Sequence, residues 1–172
     1  MLSPKIQDAL NAQINAELWS AYLYLSMSMH FEAEGLGGVA NWFHIQFEEE
    51  QAHARIFMNY INQRAGRVVL APIAEVPVEW KNPLDAFKAT LEHERKVTGL
   101  INSLYALAAE ENDYATCDRL KWFVTEQVEE EETAQKLIDK LTLVGDNGMG
   151  LYMIDQELAA RVFNAPAPLA AK

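Results

Sequence analysis

The chain has 172 residues with a formal net charge of -11, and half of them are hydrophobic, which suffices for one well-buried domain and is short for two. Acidic residues spread along the whole chain argue against nucleic acid and anionic membrane as partners and in favour of cations. Cys117 is the single cysteine, so no intrachain disulfide can form; with no basic start ahead of an apolar run and no stretch near the ~20 apolar residues of a membrane span, the expected compartment is the cytoplasm.

Ser3 followed by Pro4 predicts a helix start, because the serine oxygen can cap free N–H groups where proline supplies a fixed φ and needs no partner. This first helix is expected to run to about Glu34, with Gly35, Gly37 and Gly38 breaking the pattern. A second is expected from Val39 to Ala65, closed by Gly66. The stretch RVVLAPIAEVPVEWK has two prolines and no helical period, so it reads as a long extended connection with a weak strand signal at Val68 to Leu70. A connection of that length between two long helices implies a crossover that lets them run parallel.

Asn82 and Pro83 repeat the cap-then-proline signal and open a third helix to about Glu111. Asn112 and Asp113 form a turn, and a fourth helix spans Tyr114 to Val144, ended by GDNGMG. A short fifth helix, Gly150 to Arg161, precedes a Pro/Ala tail. The fold class expected is all-α: a four-helix bundle with one long crossover and a short C-terminal helix over residues 1–161, followed by a flexible tail over 162–172.

The inward seams, followed at three- and four-residue spacing, carry the chemical signal. Helix one reads Leu10, Ile14, Glu17, Ala21, Tyr24, Ser28, Phe31. Helix two reads Phe43, Phe47, Glu50, Ala54, Phe57, Ile61, with His53 one turn beyond Glu50. Helix three reads Leu84, Phe87, Leu91, Glu94, Thr98, Ile101, Tyr105, Ala108. Helix four reads Leu120, Phe123, Gln127, Glu130, Ala134, Leu137, Leu141. Every seam carries an acid, and these acids lie within about two turns of mid-helix, so side-by-side packing would gather them into one layer. Buried carboxylates without a counterion cost several kcal/mol each. No Lys or Arg stands on any seam. A bound metal is the simplest offset, and carboxylates with one imidazole suit iron or manganese. His30, His44 and His93 fall off the seams and are expected at the surface.

Glu17 with Tyr24, Glu50-Gln51-Ala52-His53, Glu94 and Gln127 resemble the ferroxidase-centre pattern of catalytic ferritin subunits of the bacterial non-haem type. The resemblance covers nearly the whole chain, including LKWFVTEQVEEEE and GLYMIDQEL. It implies a ferritin-like bundle, an iron-storage function with ferroxidase activity, and a homo-oligomeric cage of 24 subunits. Residue by residue, it makes Glu17, Glu50 and His53 ligands of a first iron, with Glu50 bridging to a second held by Glu94. Glu130 lies near that pair, and Gln127 helps to position ligands or oxygen. A third iron position would fall to Glu49, Glu126, Glu129 and Glu130, and Tyr24 would serve as a one-electron donor or hydrogen-bond partner. The substrates implied are Fe(II) and O2 or H2O2.

No haem is expected, because the haem-binding relatives carry methionine where this chain has Ala52. They also repeat the E-x-x-H on helix four, where Gln127 is followed by Glu130. Counting back from Gln127, the acidic pair that lines an iron channel in animal catalytic chains would fall at Cys117 and Leu120, so that funnel is not expected.

Overall fold

A computed structural model describes residues 2–170. The elements are α1 (Pro4–Ala33), α2 (Gly37–Gln63), α3 (Pro83–Glu110), α4 (Tyr114–Val144), α5 (Gly148–Leu158) and the single turn α6 (Ala167–Ala170). Helices α1 and α2 pair most extensively, as do α3 and α4, with α1 also against α3 and α5 against α2. The caps act as their residue types dictate: Ser3 Oγ accepts from Ile6 N at 3.3 Å, Asn82 Oδ1 from Asp85 N at 2.9 Å and Asp113 Oδ1 from Thr116 N at 3.1 Å.

Helix ends differ from expectation where a cap or a close approach decides them. Asn147 caps the N–H groups of Met149 and Gly150 at 3.0 and 3.1 Å, so α5 opens at Gly148 and ends at Leu158. At the end of α2 the residue with positive φ is Ala65, at 54°, and Gly66 N donates to Ile61 O at 2.9 Å. Gly66 answers a spatial need instead, since a Cβ there would lie 2.9 Å from both Gln7 Oε1 and Ile61 Cγ2. Asn112, with φ 55°, performs the left-handed step after α3. Arg64 then ties the end of α2 to the start of α4, through two bonds of 3.0 Å to the Asp113 carboxylate.

Residues 64–82 form the crossover, and none of it is strand. It climbs α1, whose polar side chains bind its backbone at successive heights. Asn11 donates to Arg67 O at 3.0 Å and accepts from Val69 N at 2.8 Å. Asn15 donates to Ala71 O and Pro72 O, Trp19 to Glu75 O, and Ser26 to Pro77 O, while His30 Nε2 meets Trp80 O at 3.0 Å. An extended segment without a sheet partner must satisfy its polar groups this way or in water. The climb returns the chain to the end where α2 began, so α2 and α3 run parallel. His30 is accordingly half-buried and packs edge-on against Phe31 and Trp80, a correction to its expected place at the surface.

Helix α5 docks where α2 starts. Leu36, the residue before α2, makes no side-chain cap bond; Asp155 of α5 does so from outside, its Oδ1 accepting from Val39 N at 2.9 Å. Gly38 permits this approach, because a Cβ there would sit 1.7 Å from Asp155 O. Gly38→Ala is expected to undock α5 and to lower stability by about 3 kcal/mol, against about 1 kcal/mol for Asp155→Ala, which loses only the cap. Thermal unfolding of the two variants at matched protein concentration checks the ranking. After α5 the chain runs back along α2 to α6, where Leu169 packs against apolar residues near the other end of the bundle. Residues 171 and 172 of the expected tail lie outside the described residues.

The core falls into two apolar clusters. One gathers Tyr24, Met27, Phe31, Phe43, Phe87 and Leu137 at the α5 end. The other gathers Leu10, Ile14, Phe57, Ile101 and Phe123 at the Arg64 end. What lies between them is polar.

Candidate metal centre

Glu17 of α1, Gln46, Glu50 and His53 of α2, Glu94 of α3, and Gln127 and Glu130 of α4 form this intervening layer, each no more than 8% exposed. On α2 the four- and three-residue steps from Gln46 to Glu50 to His53 keep all three on the inner face. Glu17, Glu50 and His53 each offer one ligand atom, and these atoms lie within 4.8 Å of one another. His53 Nδ1 stands 3.3 Å from Glu50 Oε2. Glu17 Oε2 and His53 Nε2 are buried without a hydrogen-bond partner, an arrangement that native structures seldom leave unexplained.

The other carboxylates are held by donors. Gln13 Nε2, one turn before Glu17, donates to Glu17 Oε1 at 2.9 Å. Glu94 receives the Tyr24 hydroxyl on Oε1 and Gln127 Nε2 on Oε2, the latter at 3.1 Å. Gln127 also reaches Glu94 O and Thr98 Oγ1 at 3.2 and 3.4 Å, so its orientation is set by α3. Gln46 Nε2 donates to Glu130 Oε2 at 3.0 Å. Gln13 and Gln46 were not singled out in the sequence, although each stands four residues before a seam glutamate and the same helical rule points to both.

Burial and mutual repulsion favour the protonated forms of Glu17, Glu50 and Glu94. Desolvation, then the Glu50 charge, pushes Glu17 well above the ordinary carboxylate range. Desolvation, then Glu94, does the same to Glu50. Glu94 rises to about 8, through burial first and Glu130 second, against the lowering effect of the Tyr24 and Gln127 hydrogen bonds. Burial, followed by the Glu94 charge, raises the Tyr24 phenol, so it stays a donor.

Beside this layer the proposed third group is unevenly placed. Glu49 is partly buried and rises to about 7, burial outweighing the lowering effect of Arg161. Glu126 is half-buried and raised chiefly by desolvation. Glu129 is exposed, so the structure does not bring it into the layer. Arg161, which follows α5, donates to Glu49 Oε2 at 2.6 Å and to Gln46 Oε1 at 2.5 Å. No seam carries a cation, yet this one arrives from beyond the four long helices, on a segment with no periodicity linking it to them.

Aromatic rings wall the site. His53 meets Trp122 and Phe123 edge-on at 5.5 and 5.8 Å. Tyr24 stacks on Phe43 and meets His93 edge-on at 6.0 Å. His93, expected at the surface, is wedged between Tyr24 and Trp19, with Ser20 Oγ 2.8 Å from its Nε2. Burial, with Lys96, depresses it to about 4 and keeps it neutral. His44 is exposed as expected. Cys117 and Leu120, counted as channel positions, belong instead to the core cluster at the Arg64 end. One residue further on, Asp118 and Lys121 face solvent as an ion pair of 3.0 Å.

Comparison with known proteins agrees with this architecture. Residues 7–144 match the ferritin-like domain family. The chain is 47% identical over 161 residues to the bacterial non-heme ferritin of Bacteroides fragilis (strain 638R), covering 94% of this chain and all of that one. It is 42% identical over 164 residues to the bacterial non-heme ferritin of Staphylococcus epidermidis, covering 95% and 99%. Among solved structures, the open pore ferritin of Archaeoglobus fulgidus superposes with a TM-score of 0.93 at 45% identity, over 94% of this chain and all of that one. An engineered closed form of that ferritin superposes at 0.94 with 45% identity, over 95% of this chain and all of the other.

Proposed function

The chain belongs to the ferritin family, a family of iron-storage proteins, and from that premise we propose that it oxidises Fe(II) to Fe(III) at an intrasubunit di-iron centre and stores the product as ferric oxyhydroxide inside a 24-subunit homo-oligomeric shell. One observation carries the reading: Glu17, Glu50 and His53 converge to within 4.8 Å, two of their ligand atoms lack any partner, and desolvation disfavours the free carboxylate charges. Hard oxygen donors with one imidazole suit iron and favour its ferric state.

In this reading Glu17, Glu50 and His53 hold the first Fe(II), and Glu50 bridges to a second held by Glu94, with Glu130 beside it. Tyr24 and Gln127 orient Glu94 by donating to its two oxygens, so each oxygen keeps a free lone pair for a metal. The neutral phenol of Tyr24 also places an oxidisable ring against the centre. Loading expels the protons that the buried carboxylates retain. Each Fe(II) gives up one electron; where O2 is the oxidant, it takes up the pair with two protons and leaves as H2O2. Glu49, Glu126 and Glu130 form a third cation position at the edge of the layer, toward which ferric product moves on weaker, more mobile carboxylates. The exposed Glu129 offers a further oxygen outside it. No described helix is long and apolar enough to cross a membrane.

Aerobic addition of Fe(II) to metal-free protein is expected to raise near-ultraviolet ferric absorbance far faster than in protein-free buffer. Size-exclusion chromatography of the same sample is expected to give a mass near 24 copies of 19.4 kDa. Oxidation at the rate of the buffer blank would overturn the enzymatic reading, and a monomer-sized species would overturn the shell.

A further inference from the structure

The carboxylates of the proposed third position do not all stand free. Arg161 lies three residues beyond α5, which ends at Leu158, and its turn is clamped from α2: Asn41 Nδ2 donates to Leu158 O at 3.1 Å and to Arg161 O at 3.0 Å. The guanidinium therefore arrives preset. Its plane lies over Trp42 with 4.7 Å from carbon to ring centroid, and Nη1 donates to Trp42 O at 3.2 Å. The other terminal nitrogen, Nη2, bonds both Glu49 Oε2 and Gln46 Oε1. Gln46 uses its remaining amide end to hold Glu130 Oε2 at 3.0 Å. One planar cation thus grips Glu49 directly and Glu130 through a single amide.

We propose that Arg161 is an internal counterion that occupies the Glu49 side of the third position until a metal displaces it, so that this position fills after the Glu17–Glu50–His53 and Glu94 positions. The physical reason is competition for one lone-pair set. A charge-assisted bond of this length, in a partly buried setting, must be broken before Glu49 can turn its Oε2 to a metal. Glu17 Oε2 and His53 Nε2 have no such bond to break. Displacement also frees Gln46 to rotate and releases Glu130 from its donor, so one event supplies two carboxylates. Through the clamped turn, the same event loosens the attachment of the C-terminal segment to α2. The inference rests on the third position proposed above.

The test uses Zn(II), which is redox-inert, in calorimetric titration of the assembled metal-free protein. Native protein is expected to show tight binding at the paired positions and a weaker third step. In Arg161→Gln the third step is expected to tighten by about tenfold, while the tighter steps stay within about twofold. Arg161→Lys keeps the stem and the charge but cannot form the same planar fork, and its third step is expected between the two. Glu49→Gln should remove the third step from otherwise native protein. If Glu49→Gln leaves that step intact, the third position itself is misassigned. If Glu49→Gln removes it but both Arg161 variants bind as native does, Arg161 has no part in the order of filling. Arg161→Lys keeps the test decisive should Arg161→Gln fail to assemble.

Discussion

Replacing Glu50 and His53 together with alanine is expected to slow ferric absorbance growth by about a hundredfold or more while leaving the shell assembled. Glu50 shares a three-ligand group with Glu17 and His53 on one side and feels the charges of Glu94 and Glu130 on the other. It is therefore the carboxylate placed to serve both of the proposed metal positions. His53 supplies the one imidazole, and its outer nitrogen has no protein partner to lose. Either single variant should cost nearly as much as the double, because a centre that works as a unit fails once either metal position is lost. Stability should change far less than activity. Removing Glu50 takes out of the core a carboxyl that desolvation penalises, which offsets part of the cavity cost, so the metal-free variant is expected to melt within several degrees of the native protein. Fe(II) oxidation by the double variant at the native rate, with intact assembly, would defeat the assignment.

The second large effect is the response of the metal-free protein to pH. Glu94 titrates near 8 in the folded chain and near 4.5 in the unfolded one, and Glu17 and Glu50 are displaced in the same direction. Between those values the native state holds more protons on these groups than the unfolded state does, so the stability they contribute is fully present below about 4.5 and is lost as pH rises toward 8. Each such proton contributes about 1.4 kcal/mol per pH unit, or roughly 3 to 5 °C in melting temperature for a chain of this size. Zn(II) should reverse the loss, raising the melting temperature more at pH 8 than at pH 5, with protons released on binding. Glu94→Gln isolates the effect, since it should flatten the slope by one proton. A slope identical to native would show that Glu94 carries no proton in that range.

Much of this was readable along the chain because helices impose one period on everything they bury. Glu17, Glu50, Glu94, Gln127 and Glu130 lie on seams otherwise filled by large apolar residues, and all are buried in the structure. The crossover was also evident, since two prolines and a long aperiodic stretch leave few other topologies. Contacts that no period connects escaped notice. Arg161 reaches the layer only because Gly38 lets α5 settle on α2, and the sequence offers no local sign that residues so distant will meet. His30 and His93 were misplaced for a related reason. Both lie off their own seams, yet the crossover covers one, and the crevice between α1 and α3 encloses the other. Glu129, which the resemblance places with Glu49, Glu126 and Glu130, is exposed, because helical rotation turns it away from the buried face that carries Gln127 and Glu130.

The crossover also bears on how independent the centre is of the connection that climbs α1. Between its contacts at Asn11 and His30, α1 rises about 28 Å, a distance that about nine fully extended residues would cover. Twelve residues lie between Arg67 and Trp80, which meet those two side chains. The connection therefore has slack, and its surplus contour coincides with the exposed side chains of Val69, Leu70, Ile73 and Val78. Because it is pinned rung by rung and not stretched taut, a residue gained or lost among 68–79 would be absorbed as a larger or smaller bulge. The height of Glu94 relative to Glu17 and Glu50 would not shift, so the crossover can change in length without detuning the candidate metal centre.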